Sequence, residues 1–412
     1  MEQIFYWIII GALFGEYFLS TISAILNMKN ITELVPNGFQ DYYDEEKYAK
    51  SQAYLKENTR FGLFTGTFSL AIILIVIHLK LFGELDQFVQ SQANNQILVG
   101  LLFFGIIFFI NDIINLPFSI YRTFIIEERY GFNNTTPKTY TLDKLKGYGL
   151  TIILGSMVLG PILYFFNTYG NNGWWIAWLL ISGFMVAVQP LFVHVIAPMF
   201  NKFDPLEEGD LRLAIERFSE KVKFPIARID VMDGSRRSSH SNAYFSGFGK
   251  SRRIALFDTL LNKHSTEEIV SVVAHEVGHY KKNHIIVGTI IGILETGIML
   301  FVFNLFMNNS SLFSVFGVTD ISVYCGLIFF GMLYTPVSLL LSIFTTLLSR
   351  KNEYEADAYS LEMTENKDAL VSMLKGLAAN NLSHLTPHPI TVFLSYSHPP
   401  VMDRIAAINN KI

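Results

Sequence analysis

Apolar residues in this chain gather into long blocks instead of recurring at a helical or strand period. Seven runs, roughly 4–27, 61–82, 97–118, 148–166, 174–198, 286–307 and 321–348, are long enough, or nearly so, to cross a hydrocarbon core, which needs about 20 residues. The pattern predicts an all-α multi-pass membrane protein with seven transmembrane helices. The first run follows Glu2 where a signal peptide would have a basic start, no small-residue cleavage site comes after it, and it is too long for a signal core. It is therefore expected to stay attached as a span. Glu16, Asn111, Asp112, Asn115, Gln189 and His194 fall inside the blocks. Polar groups at that depth face a wet cavity or pair between helices, and the residues alone leave both readings open.

Between residues 199 and 285 the pattern changes. Segments 229–232, 242–248 and 253–258 read as strands, the last two joined by a Gly249-Lys250-Ser251 turn, and together they predict a small β-sheet. The chain thus divides into 1–198 (spans one to five with cytoplasmic loops), 199–285 (sheet and a following helix), 286–348 (spans six and seven) and 349–412 (a C-terminal region).

Loop charge orients the bundle. Lys29, Lys47, Lys50, Lys56 and Arg60 follow the first span, and Arg122, Arg129, Lys138, Lys144 and Lys146 follow the third, whereas 83–96, 167–173 and 308–320 carry no Lys or Arg. The positive-inside rule then puts the N-terminus outside, and 28–60, 119–147, 199–285 and the C-terminus in the cytoplasm. With 51% hydrophobic and only 16% charged residues and a net charge of −4, the composition suits a membrane chain in contact with lipid and gives no footprint for nucleic acid. The single cysteine, Cys325, excludes an intrachain disulfide and a multi-cysteine metal site.

Chemistry enters at His275-Glu276-Val277-Gly278-His279. Ser265 is a plausible N-cap with Glu268 three residues on, a capping box, and no Pro or Gly interrupts the run into the motif. On that helix two imidazoles four apart share a face and can bind one zinc ion, and Glu276 between them can take a proton from a zinc-bound water. Gly278 costs the helix about 1 kcal/mol, which fits a close approach of metal or substrate backbone. Zinc in a hydrolase needs a third protein ligand and an open position. The pattern H-E-x-x-H-x-x-G-x-x-H is excluded, because Lys282 and Ile285 stand where it requires Gly and His. His284 comes one position early and reads as a polar residue at the membrane boundary or as support for the site. The alternative is a carboxylate after the seventh span, where Glu353 and Asp357 share a helix face and Glu355 points away. Glu353 is the expected third ligand, and Asp357 is expected to accept the free ring N–H of a zinc-bound histidine. An edge strand beside the site can bind an extended peptide through main-chain hydrogen bonds, which makes Asn242 and Ala243 the expected contacts to substrate backbone.

Several motifs in one order resemble those of the integral-membrane type I CAAX prenyl proteases. They are Glu128-Arg-Tyr-Gly-Phe-Asn-Asn-Thr-Thr136, Ala197-Pro-Met-Phe-Asn-Lys-Phe-Asp-Pro-Leu206, Ser239-His-Ser-Asn-Ala-Tyr-Phe245, Ala274-His-Glu-Val-Gly-His-Tyr280, Arg350-Lys-Asn-Glu-Tyr-Glu-Ala-Asp357 and Ser397-His-Pro-Pro400. The resemblance covers nearly the whole chain. It implies seven helices around an intramembrane chamber, one zinc ion held by His275, His279 and Glu353, Glu276 as general base, and cleavage of a C-a-a-X peptide after a prenylated cysteine. It also implies that His398 donates to the oxyanion of the scissile carbonyl. The expected location is the endoplasmic reticulum membrane in a eukaryote or the inner membrane in a bacterium. Two other readings stay open: a quality-control protease acting on membrane proteins without a prenyl group, and a transporter with a structural, four-ligand zinc.

Overall fold

The computed structural model describes residues 1–246 and 253–410, so the 249–251 turn lies outside the described residues. Six helical stretches are long and apolar enough to cross a membrane: Glu2–Lys29, Glu45–His78, Gln96–Tyr130, Pro137–Phe200, His284–Phe306 and Val323–Thr364. The fourth of these has 64 residues and would measure roughly 96 Å if straight, about three times a hydrocarbon core. It breaks at Gly170–Asn172, where Gly170 has φ 51° and Gly173 approaches so closely that a Cβ would lie 2.7 Å from Phe165 O. Counted as two, Pro137–Tyr169 and Gly173–Leu191 bring the passes to the expected seven.

The most apolar windows of these helices are only 6–17% buried, so the spans pack on one another sparingly and leave most of their apolar surface uncovered by protein. Some polar groups within them pair. Asp112 accepts from Lys144 Nζ at 2.6 Å and Tyr148 OH at 2.5 Å, and Gln189 donates to Thr289 at 3.1 Å between the fifth and sixth passes. Asn115 donates to Asn111 within its own helix, while Glu16 and His194 are exposed. Two of the segments expected as loops contain helices, Leu81–Gln92 and Ser310–Val315. They cap one end of the bundle through Phe82 and Phe316, the latter stacked on Phe329 with centroids 3.9 Å apart.

At the opposite end lies a sheet of four strands, β1 (Phe203–Pro205), β2 (Arg228–Met232), β3 (Ala243–Ser246) and β4 (Arg253–Phe257), in the order β1-β2-β4-β3. β1 and β3 pair antiparallel with their neighbours, and β2 runs parallel to β4. The three expected strands are present, the second as Ala243–Ser246, with residues 247 and 248 outside the described residues. The added edge, β1, is short and contains Pro205, which edges tolerate. The sheet packs against the helix Thr266–Lys281 through Ile254 and Leu256, which meet Ile269, Val273, Ala274 and Val277 in one buried cluster. Those four helix positions recur at i, i+4, i+5 and i+8, so burying that stripe turns His275 and His279 to another face.

Candidate metal centre

Helix Thr266–Lys281 begins with the expected capping box: Ser265 Oγ accepts from Glu268 N at 3.3 Å, and Glu268 Oε2 accepts from Ser265 N at 3.1 Å. It packs along the C-terminal extension of the last span, which is one unbroken 42-residue helix, Val323–Thr364, and not a span followed by a second helix. Gly278 is what lets the two approach. A Cβ there would lie 3.2 Å from Ala356 Cα and Ala356 O, so the glycine serves helix packing and not the approach of metal or substrate.

The crossing brings three donors together. His275 Nε2 and His279 Nε2 are 3.1 Å apart, and Glu353 places Oε1 3.3 Å from His279 Nε2 and Oε2 3.5 Å from His275 Nε2. Donors about 2.0–2.1 Å from a tetrahedral ion stand about 3.3–3.4 Å apart, so this triangle has the size a metal ion requires. Glu353 Oε2 is buried and makes no close hydrogen bond among the described residues, its neighbours being cationic or ring N–H groups at 3.4–3.5 Å, which leaves its lone pairs available to a metal ion. Among the described residues, these three form the group of His, Cys, Asp and Glu side chains close enough to hold a metal.

Each donor is held from behind. Asp357, 2% exposed, lies 2.9 Å from His275 Nδ1. Two further supports are present, of which Arg404 was not foreseen and His284 takes the second of its two readings. Arg404, on the C-terminal helix Val401–Asn409, donates to Asp357 through Nε at 2.7 Å and Nη2 at 2.6 Å and sets Nη1 3.4 Å from Glu353 Oε2. His284 Nδ1 lies 3.0 Å from His279 Nδ1, and its Nε2 lies 3.2 Å from Glu355 Oε2. Asn283 makes that contact possible: its left-handed backbone, φ 60°, turns the chain between the motif helix and the sixth span. Glu355 points away from Glu353 as expected, and its partner is His284.

Burial opposes charge on His275, but the Asp357 and Glu353 carboxylates outweigh it and push its pKa up to about 9. Burial would raise Glu353, yet its hydrogen bonds to His275 and His279 hold it well below the usual carboxylate range. Asp357 is likewise held low, Arg404 and His275 overcoming burial. For Glu276 burial wins, and its carboxyl is pushed up despite the two histidines beside it.

A cavity of about 200 Å³ opens on this cluster, lined among others by Asn242, Ala243, His275, Glu276, Glu353 and His398. Sequence-distant candidates therefore converge. Ala243 is the first residue of β3, an edge of the sheet, and Asn242 O accepts from Phe257 N at 3.1 Å just before it. His398 is 64% exposed at the mouth, with Nε2 3.4 Å from Glu353 Oε1 and Nδ1 2.9 Å from Ser397 Oγ.

A buried carboxylate beside a metal-sized triangle, under a sheet edge and at the end of a bundle of spans, is the arrangement of a multi-pass membrane metallopeptidase. Residues 24–202 match the family described as CAAX prenyl protease N-terminal, five membrane helices, and residues 205–412 match peptidase family M48. The chain belongs to peptidase family M48, within its CAAX prenyl protease group. It is 32% identical to CAAX prenyl protease 1 of Saccharomyces cerevisiae, over 91% of this chain and 88% of that one. It is 36% identical to the CAAX prenyl protease 1 homolog of Oryza sativa subsp. japonica, over 89% and 88% respectively. The crystal structure of S. mikatae Ste24p superposes with a TM-score of 0.91 at 32% identity, covering 98% of each chain. Membership implies a metal ion and a peptide or protein substrate.

Proposed function

We propose that this metallopeptidase uses one zinc ion, held by His275, His279 and Glu353, to remove the C-terminal tripeptide of a C-a-a-X sequence after a prenylated cysteine. The observation that carries the reading is the cavity that His275, Glu353 and Glu276 share with the sheet edge at Asn242 and Ala243, with His279 directly behind, its Nε2 3.1 Å from His275 Nε2. The names of the relatives, CAAX prenyl protease 1 and its homologs, supply the substrate class.

Zinc held there would supply Lewis acidity, to polarise the scissile carbonyl and to let an attacking water lose a proton near neutral pH. Glu276 takes that proton, a task its raised pKa suits, and passes it to the departing amine. Asn242 and Ala243 hold the substrate main chain as one more strand beside β3. With Ser397 Oγ 2.9 Å from His398 Nδ1, the tautomer protonated at Nε2 takes the serine hydroxyl as donor and turns Nε2–H toward the oxyanion. Asp357, clamped by Arg404, fixes the ring of His275, and His284 does the same for His279. In this reading the spans surround a chamber beneath the centre, and the centre faces the cytoplasm, in the endoplasmic reticulum membrane of a eukaryote, a reading that the loop charges support.

The test is hydrolysis by the purified full-length chain in detergent of a farnesylated C-a-a-X peptide against its unprenylated twin. Release of the tripeptide from the farnesylated peptide alone supports the reading. Equal cleavage of both would replace it with a quality-control protease indifferent to the lipid.

A further inference from the structure

Between the second helix (Glu45–His78) and the helix Gln96–Tyr121 lies a groove of about 870 Å³ that the peptidase site does not use. Its floor is aromatic. Phe118 meets Phe61, Phe64 and Phe68 with centroids 6.3, 5.9 and 5.0 Å away, and Phe61 stacks on Tyr121 at 5.3 Å. Its rim is cationic, with Lys56, Arg60 and Arg129. Glu57 is already satisfied, by Arg129 Nη1 at 2.5 Å and Tyr130 OH at 2.9 Å. Lys56 and Arg60, both exposed and one helical turn apart, meet no carboxylate among the described residues.

Their height matters as much as their charge. Arg60 is the last charged residue before the uninterrupted apolar run of the second pass, so the free cations stand at the level where phospholipid headgroups meet the hydrocarbon. On the other wall the helix changes to a π-helical stretch, Arg122–Glu127, directly after Tyr121, a distortion concentrated at functional sites. Pro117, also in the wall, removes one backbone hydrogen bond from the same region.

We propose that this groove binds an anionic phospholipid from the leaflet on the metal-centre side, with its phosphate and headgroup carboxylate or hydroxyls at Lys56 and Arg60 and an acyl chain over Phe61, Phe64 and Phe118. Basic pockets between transmembrane helices bind anionic headgroups in this way. A soluble anion would have no use for the aromatic floor, and a neutral lipid none for two unpaired cations.

Full-length protein in neutral detergent is titrated with phosphatidylserine or with phosphatidylcholine of the same acyl chains, and bound lipid is read by native mass spectrometry. At roughly 1 kcal/mol per cation near the surface, two free cations predict a preference for phosphatidylserine on the order of tenfold or more. Lys56→Gln with Arg60→Gln should bring the two lipids within about threefold while thermal stability in detergent and peptide hydrolysis stay as in the wild type. High ammonium acetate should erase the preference in the wild type as well, which reads the same charges without a substitution. Equal affinity for the two lipids, a preference that survives the double substitution, or full competition by glycerophosphoserine lacking acyl chains would each overturn the proposal.

Discussion

Replacing Arg404 with Gln should expose how the centre balances its charges. The guanidinium side chain is 13% exposed, makes two short bonds to Asp357, and stands 3.4 Å from Glu353 Oε2. Removing one partner of a buried ion pair costs about 3–5 kcal/mol. His275 remains as a second partner of Asp357, so the lower end, about 3 kcal/mol, is the expected loss in chelated protein. A divalent cation restores positive charge beside Glu353, so the metal should stabilise the variant more than it stabilises the wild type. Thermal unfolding in detergent with and without chelator measures both effects, and the gap between the two melting temperatures should widen in Arg404→Gln. Acid sensitivity follows with a definite sign. Asp357 has a depressed folded-state pKa, so its contribution is present above the ordinary carboxylate pKa and is lost as pH falls through the folded value. Without Arg404 that folded value rises, and the loss of stability should move to higher pH. An unchanged melting temperature in chelator, or a gap that narrows, would refute this account of the charge balance.

Other substitutions separate binding from chemistry. Glu276→Gln should retain full metal content and lose hydrolysis, because the donors stay and the base is gone; turnover near wild type in a metal-loaded sample would remove Glu276 from its role. His398→Ala should lower kcat by about 10²-fold or more with metal content and KM nearly unchanged. Loss of metal in that variant would make His398 a ligand, since its Nε2 already lies 3.4 Å from Glu353 Oε1. His284→Ala should weaken metal affinity by about 10- to 100-fold, the usual effect of freeing the far nitrogen of a ligating histidine, read by competition with a chelator. A tag in 308–320 should be reachable from outside sealed vesicles and a C-terminal reporter only from the cytoplasmic side; the opposite labelling would invert the orientation.

What was legible in the sequence was whatever a local pattern enforces. A bilayer forces each crossing segment to satisfy its own backbone, so a run such as 97–118 can only be a helix, and a one-dimensional count finds it. Two histidines one turn apart share a face in any helix, and Glu353 stood out because charge is rare in this chain and an acidic pair follows the last span directly. The helix Leu81–Gln92 was invisible for the opposite reason. Its hold on the bundle comes from Asp86, 3% exposed, which accepts from Tyr324 OH at 2.5 Å across 238 positions, and no nearby residue announces that partner.

The same distinction explains the centre itself. Arg404 sits on a nine-residue helix, 47 positions after the carboxylate it clamps, and nothing beside it in sequence distinguishes it from a solvated surface arginine. His284 was in plain view, yet its role depends on one left-handed residue, Asn283, without which a helix running through 275–284 would carry the ring away from His279. The ligand motif therefore specifies where a metal can sit. Which proton each ligating ring carries, and how much negative charge the centre tolerates before the ion arrives, are set by residues that only the tertiary fold brings behind it. Substitutions at Arg404 and His284 should thus change metal affinity and the pH range of stability while leaving every residue of the motif intact.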